Sequence, residues 1–351
     1  MRNIKTVKKL PTNEEIIAAH PLDEKCYANI DQDKKEVRDI LSGDDNRLLI
    51  VIGPCSAWPF DAMLEYAEKF KALSEKVSDS LKLVLRVYVQ KPRTTKGWTG
   101  PVSQPDPFSA PDIAAGAMYA RSLMVKLIEL GLPIADEALF THNAKGFIEL
   151  LSWVAIGARS TEDQEHRIFA SGIDCPVGMK NPTSGSIQVG VNSVIAAQTP
   201  RTAAFDGYQI ETKGNPFAHL VLRGGVKGQN FHLYDLLRSR DKLLENGVAN
   251  PAIMIDASHD NCRVNGHKDY ELQIDVVREV LNNLEVRPEL QDFVKGFMLE
   301  SFLKDGNQNI DKLTPETVDM EGLSVTDPCL GWDKTETLIL DIAEKFRTIR
   351  K

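Results

Sequence analysis

Two sets of side chains in this sequence have the types that chemistry requires. The first is cationic. Arg86, Lys91, Arg93, Arg159, Lys180 and Arg223 stand within or directly after short apolar, β-branched runs. A lysine or arginine beside a buried strand is costly unless it has a partner, so this repetition points to a pocket for more than one anionic group. The guanidinium fork suits carboxylate and phosphate through paired, charge-assisted hydrogen bonds. The second set is Cys55, His259, Glu300 and Asp327. A thiolate, an imidazole and two carboxylates form a mixed shell that fits Mn, Fe, Co or Zn better than Mg or Ca. Each residue also has a structural reading. A lone Cys is commonly a small buried hydrophobe, a lone Asp commonly a cap, and Glu137, Asp256 and Glu300 could absorb cations as salt bridges. The chemical reading requires one fold to bring both sets to one place.

The elements that could do so are regular. Apolar runs lie at Arg47–Ile52, Leu81–Val89, Leu132–Ala135, Trp153–Ala158, Pro176–Met179, Ala218–Leu222, Ala252–Ile255 and Val294–Leu299. Helical patterns follow them at Phe60–Lys76, Ile113–Leu130, Asn143–Leu150, Glu162–Ser171, Ile187–Ala197, Phe231–Glu245, Tyr270–Leu284 and Lys334–Ile349. Near-continuous apolar strands alternating with helices predict a parallel sheet covered on both faces. Eight such repeats predict an α/β fold, a (β/α)8 TIM barrel, with a doubly wound open sheet as the alternative. In the barrel, every chemical residue above falls on the rim formed by the carboxyl ends of the strands, where sites of this fold are built.

Residues 1–45 read as an N-terminal helical extension and 46–351 as the barrel. Thr12 and Glu15 form a capping-box pattern that opens a short helix, and a second helix is predicted over Lys34–Leu41. Helices this short are unstable alone, which predicts that they pack on a partner subunit in a homodimer or homotetramer. The net charge of −8, without a basic run, argues against nucleic-acid binding. Five scattered cysteines without a CxxC pair, no apolar signal core and no bilayer-length apolar stretch predict a cytoplasmic protein with no membrane partner.

The motifs Ile52-Gly53-Pro54-Cys55-Ser56, Lys91-Pro92-Arg93-Thr94-Thr95, Gly157-Ala158-Arg159-Ser160-Thr161-Glu162, Pro176-Val177-Gly178-Met179-Lys180-Asn181, Leu222-Arg223-Gly224-Gly225 and Met254-Ile255-Asp256-Ala257-Ser258-His259 occur in this order. They resemble successive motifs of the type I 3-deoxy-D-arabino-heptulosonate 7-phosphate (DAHP) synthases, in the long subgroup with an N-terminal extension. Gly306-Asn307-Gln308 and Ser324-Val325-Thr326-Asp327-Pro328-Cys329 are similar to that family too. The resemblance implies condensation of phosphoenolpyruvate with erythrose 4-phosphate, with a divalent metal (Mn²⁺, or Fe²⁺, Co²⁺ or Zn²⁺) as cofactor. It implies Cys55, His259, Glu300 and Asp327 as metal ligands, and Arg86, Lys91 and Lys180 as contacts to the enolpyruvate carboxylate. Arg159 and Arg223 would clamp its phosphate, with backbone N–H groups near Glu137 and Ala158. Arg93, Thr94 and Asp256 would form the erythrose 4-phosphate site. Lys91, or a metal-bound water near His259, would protonate the new alkoxide.

The chain departs from the family pattern at Ala57-Trp58-Pro59, at Trp98-Thr99-Gly100 and at Asn181-Pro182-Thr183-Ser184-Gly185. Thr199–His219 is also shorter than the hairpin with which the feedback-regulated enzymes help bind an aromatic amino acid. The nearest rival is an octulosonate 8-phosphate synthase, whose sugar segment reads Lys-Ala-Asn-Arg-Ser; the Lys91-Pro92-Arg93-Thr94-Thr95 form argues for erythrose 4-phosphate. A non-catalytic regulatory barrel is the reading from another class, and it predicts a broken metal or phosphate set.

Overall fold

The computed structural model of the chain describes residues 3–93, 96–139, 146–205 and 207–350. Two helices come first, α1 (Asn13–Ala19) and α2 (Glu24–Ser42). Eight parallel strands then close into a barrel: β1 (Leu48–Gly53), β2 (Leu81–Arg86), β3 (Ile134–Glu137), β4 (Trp153–Ile156), β5 (Val177–Lys180), β8 (His219–Leu222), β9 (Ile253–Asp256) and β12 (Val294–Glu300). Neighbours in sequence pair, and β12 returns to β1 with Gly53 opposite Glu300. Helices α3 (Phe60–Val77), α4 (Ile113–Glu129), α5 (Gln164–Gly172), α6 (Ile187–Gln198), α7 (Leu233–Glu245), α8 (Leu272–Val286) and α9 (Trp332–Ile349) cover the outside. Two antiparallel hairpins decorate this frame: β6 (Arg201–Phe205) with β7 (Tyr208–Thr212), and β10 (Arg263–Val264) with β11 (His267–Lys268). The barrel expectation therefore holds and the open sheet does not.

Alternation along the strands builds two cores. On β1, Leu48, Ile50 and Ile52 face the helices, while Leu49 and Val51 join the barrel interior with Val84, Ala135, Trp153, Val221, Met254 and Met298. Val37, Ile40 and Leu41 of α2 belong to that interior cluster too. Helix α2 thus plugs one end of the barrel, with Cys26, Ile30, Val37 and Ile40 forming its buried stripe. It starts ten residues before the predicted Lys34, because Asp23 caps it through a 2.7 Å bond from the Cys26 amide. Its first half has too few apolar residues to reveal a helical period. Thr12 and Glu15 form the expected capping box on α1. Both helices lean on this chain's own barrel, so their shortness no longer requires a partner subunit.

One element differs from expectation. The helix predicted over Asn143–Leu150 is, in its described part, only a 3₁₀ turn at Ile148–Leu150. Gly146 at φ 93° adopts the left-handed conformation, which a right-handed helix does not accommodate. Residues 143–145 lie outside the described residues. No described helix is long and apolar enough to cross a membrane.

Candidate active site

The last inward-facing layer of the barrel is charged where the layers below are apolar. Arg86 ends β2, Glu137 ends β3, Lys180 ends β5, Asp256 ends β9 and Glu300 ends β12, and all are buried. They pair in two groups, which His259 bridges at 2.9 Å from Asp256 and 3.8 Å from Glu300. Arg86 Nη2 lies 3.1 Å from Glu300 Oε1, and Lys180 Nζ lies 3.2 Å from Asp256 Oδ2 and 3.9 Å from Glu137 Oε2. Gly157, after β4, makes room for this layer: a Cβ there would sit 2.3 Å from Glu137 Oε1.

Burial by itself raises the Glu300 carboxyl, but His259, Arg86, Lys268 and Lys91 outweigh it and hold the group well below the usual carboxylate range. Asp256 behaves in the same way: burial is overcome by His259, Lys180 and Arg86. Both are therefore carboxylates at neutral pH. Arg86 is wholly buried, yet its Nε and Nη1 have no hydrogen-bond partner among the described residues. Buried donors of this kind ordinarily find acceptors, and a guanidinium edge is shaped for an oxyanion.

Three of the four expected metal ligands come together. Ligand atoms of Cys55, Glu300 and Asp327 all lie within 4.8 Å of one another. His259 stands next to this cluster rather than inside it, with Nε2 3.8 Å from Glu300 Oε1. Its Nδ1 donates to Asp256 Oδ1 at 3.0 Å, which leaves Nε2 as the nitrogen facing the carboxylates. A carboxylate behind the imidazole is how metal-binding histidines are commonly oriented. His259 also has φ 57°, an unusual backbone for a non-glycine residue. The Cys55 thiol is pushed up by burial and by Glu300, against the pull of Lys91 and Arg86, so a metal must displace its proton. The donor set of one sulfur, two carboxylates and an adjacent imidazole fits a transition metal.

The other predicted residues take distinct places. Lys91 Nζ donates to the Cys55 carbonyl at 2.6 Å, which ties the sugar segment to the thiol loop. Arg223 pairs with Asp260 at 2.6 Å, and its amide donates to Asn181 Oδ1 at 2.8 Å. Arg159 is exposed on the turn after β4, with Ala158 beside it. Arg93 is also exposed and lies 3.8 Å from Asp311. Thr94 lies outside the described residues. Asp256 is wholly buried behind His259 and Lys180, which places it as a support for those two and not at the pocket surface.

Several supporting residues carried no signal in the sequence reading. Gln273 of α8 grips the Glu300 backbone twice, at 2.8 and 3.0 Å, and Ser258 Oγ donates to Glu300 Oε2 at 2.8 Å. Buried Asn181 bridges the Lys180 and Arg223 loops by donating to Gly224 O at 2.8 Å. Lys268, on β11, pairs with Asp327. Trp58 and Trp98, at two of the divergent motifs, meet edge to face with centroids 6.1 Å apart.

Fold and site together define a (β/α)8 barrel that gathers cations for anionic ligands beside a mixed sulfur–oxygen donor cluster. Known proteins narrow that class. Residues 23–339 match the DAHP synthetase I family, and the chain belongs to it. It is 40% identical over 338 residues to the Tyr-sensitive phospho-2-dehydro-3-deoxyheptonate aldolase of Escherichia coli K12, covering 95% of this chain and 92% of that protein. It is 39% identical over 351 residues to the phospho-2-dehydro-3-deoxyheptonate aldolase of Corynebacterium glutamicum, covering 97% and 93%. The solved phospho-2-dehydro-3-deoxyheptonate aldolase of Francisella tularensis SCHU S4 superposes with a TM-score of 0.92 at 35% identity, over 99% of this chain and 100% of that one.

Proposed function

We propose that this protein is a DAHP synthase, which joins C3 of phosphoenolpyruvate to the aldehyde carbon of erythrose 4-phosphate and releases inorganic phosphate at the entry to the shikimate pathway. The observation that carries this reading is the buried guanidinium of Arg86, two of whose nitrogens have no partner among the described residues, paired through Glu300 to the Cys55–Glu300–Asp327 cluster. Arg86 and Lys180 hold the enolpyruvate carboxylate at the ends of two strands. Arg223 and Arg159 take its phosphate, and the backbone near Glu137 and Ala158 completes that clamp. Arg93 and Thr94 take the phosphate of the sugar, while Asp256 positions His259 and Lys180.

Cys55, His259, Glu300 and Asp327 would hold a divalent transition metal, whose contribution is Lewis acidity toward the aldehyde oxygen. Lys91 stays an ammonium, because the neighbouring Cys55 and Glu300 outweigh the effect of its burial. We assign it as the group that gives a proton to the alkoxide formed from that oxygen. Water adds at C2, and the resulting tetrahedral centre expels phosphate into the Arg159–Arg223 clamp. Two anionic substrates held side by side by fixed cations supply much of the rate by proximity.

The test is phosphate release by the Mn²⁺-treated protein with phosphoenolpyruvate and either erythrose 4-phosphate or arabinose 5-phosphate. Turnover with the four-carbon sugar supports the proposal. Faster turnover with the pentose, or no phosphate release with either sugar, rejects it.

A further inference from the structure

We propose that Tyr88 is a positioning residue of the enolpyruvate site, and that its ring face, not its hydroxyl, holds Arg86, Lys91 and Lys180 in one array. The inference rests on the reading that these cations bind phosphoenolpyruvate. Tyr88 follows the end of β2 by two residues, belongs to the barrel-interior cluster and is 1% exposed. The Arg86 guanidinium carbon sits 4.0 Å from the ring centroid, Lys91 Nζ 5.5 Å and Lys180 Nζ 5.9 Å. All three fall within the roughly 6 Å reach of a cation–π attraction. The cations arrive on two separate strands and a loop, and this ring is what they share.

The hydroxyl has little to do. Its hydrogen bond goes to the Met298 sulfur at 3.9 Å, a weak acceptor at long range. The ring solves a problem that a carboxylate could not. Three cations converge on one pocket, where Glu300, Asp256 and Glu137 already stand against two of them as ion-pair partners. A further carboxylate against Arg86 would accept from its remaining N–H donors and compete with the carboxylate of the substrate. An aromatic face attracts the guanidinium without using its in-plane donors. That matches what is observed, since Nε and Nη1 remain without a partner among the described residues.

The experiment places leucine, phenylalanine, 4-fluorophenylalanine or 3,4,5-trifluorophenylalanine at position 88 of the full-length protein. It measures phosphoenolpyruvate affinity by calorimetry, and KM and kcat for both substrates. Tyr88→Leu is expected to weaken phosphoenolpyruvate binding by roughly tenfold or more, with the KM for erythrose 4-phosphate little moved. Tyr88→Phe is expected to restore most of that loss. The fluorinated rings keep the shape of phenylalanine while draining its face of electron density, so affinity should fall with each added fluorine even if the leucine variant does not fold. Equal affinity along the fluorine series, or a phenylalanine variant as weak as leucine, overturns the proposal. Wild-type protein that binds no phosphoenolpyruvate would instead reject the functional reading beneath it.

Discussion

Arg86 and Glu300 form a 3.1 Å ion pair in which neither side chain has any exposure, and this pair joins the cation array to the thiol–carboxylate cluster. The geometry makes each half of the site depend on the other. Arg86→Met would leave Glu300 with one fewer compensating charge in a buried setting. Loss of one partner of a buried pair typically costs about 3–5 kcal/mol. Chelator-treated Arg86→Met protein should show that loss in a denaturant titration. Added Mn²⁺ should recover part of it, because the ion supplies the missing positive charge beside Glu300. A metal-independent deficit would mean that Arg86 and the cluster are not electrostatically linked.

The Asp256–His259 contact makes a separate prediction. Asp256→Asn keeps an oxygen acceptor near His259 Nδ1 but removes the charge that fixes the imidazole and pairs with Lys180. Losing an outer carboxylate of this kind commonly lowers metal affinity about 10–100-fold. Calorimetric titration of Mn²⁺ into chelator-treated protein should report a drop in that range. A change within about threefold, below that range, would remove Asp256 from its supporting role.

Asp136 should govern part of the pH dependence of stability. Its Oδ1 accepts the amides of Glu137 at 2.7 Å and Val89 at 3.4 Å. Burial, reinforced by Glu137, pushes its carboxyl up to about 8 against the pull of those amides. The folded state therefore keeps a proton that the unfolded chain, with an ordinary carboxyl near 3.8, gives up. Stability from this group is complete below about pH 4 and is lost as pH rises toward 8, by at most about 1.4 kcal/mol per pH unit. Asp136→Asn keeps the acceptor oxygen and removes the titration. Urea midpoints between pH 5 and pH 8.5 should fall less steeply for the variant than for the wild type, with the curves diverging toward high pH. Parallel curves would show that Asp136 is ionised in the fold.

Much of this arrangement was legible because a parallel barrel converts strand ends into neighbours. Arg86, Lys180, Asp256 and Glu300 are scattered in sequence, yet Arg86 lies within an apolar run and the other three each follow one, and those positions predict the shared rim. The supporting contacts had no comparable signal. Gln273 reaches the Glu300 backbone from a helix, and an amide bonded to a backbone has no periodic trace. The β10–β11 hairpin does carry Asn265-Gly266, a favoured tight-turn pair. Its strands of two residues are too short to show alternation, so the approach of Lys268 to Asp327 went unread. The sugar role of Asp256 comes from the family resemblance, which carries no information on what shields it. Only coordinates show that His259 and Lys180 stand in front of it.

The divergent residue Trp58 should affect one substrate more than the other. Its indole N–H donates to the Pro105 carbonyl at 3.1 Å, and its ring packs on Trp98 within a cluster completed by Ile310 and Val325. That cluster pins the segment after Arg93 and the stretch leading to Asp327 onto the Cys55 loop. Arg86 and Lys180 belong to strands and do not depend on it. Trp58→Ala removes a nearly buried indole, a change that costs about 3–5 kcal/mol when the cavity does not collapse. Where the variant remains folded, the KM for erythrose 4-phosphate should rise severalfold while that for phosphoenolpyruvate stays near wild type. Trp58→Phe, which keeps an aromatic edge against Trp98, should restore most of the difference. Steady-state kinetics with each substrate varied in turn separates the outcomes: a rise confined to phosphoenolpyruvate would show that the cluster supports the strand-end cations and not the sugar segment.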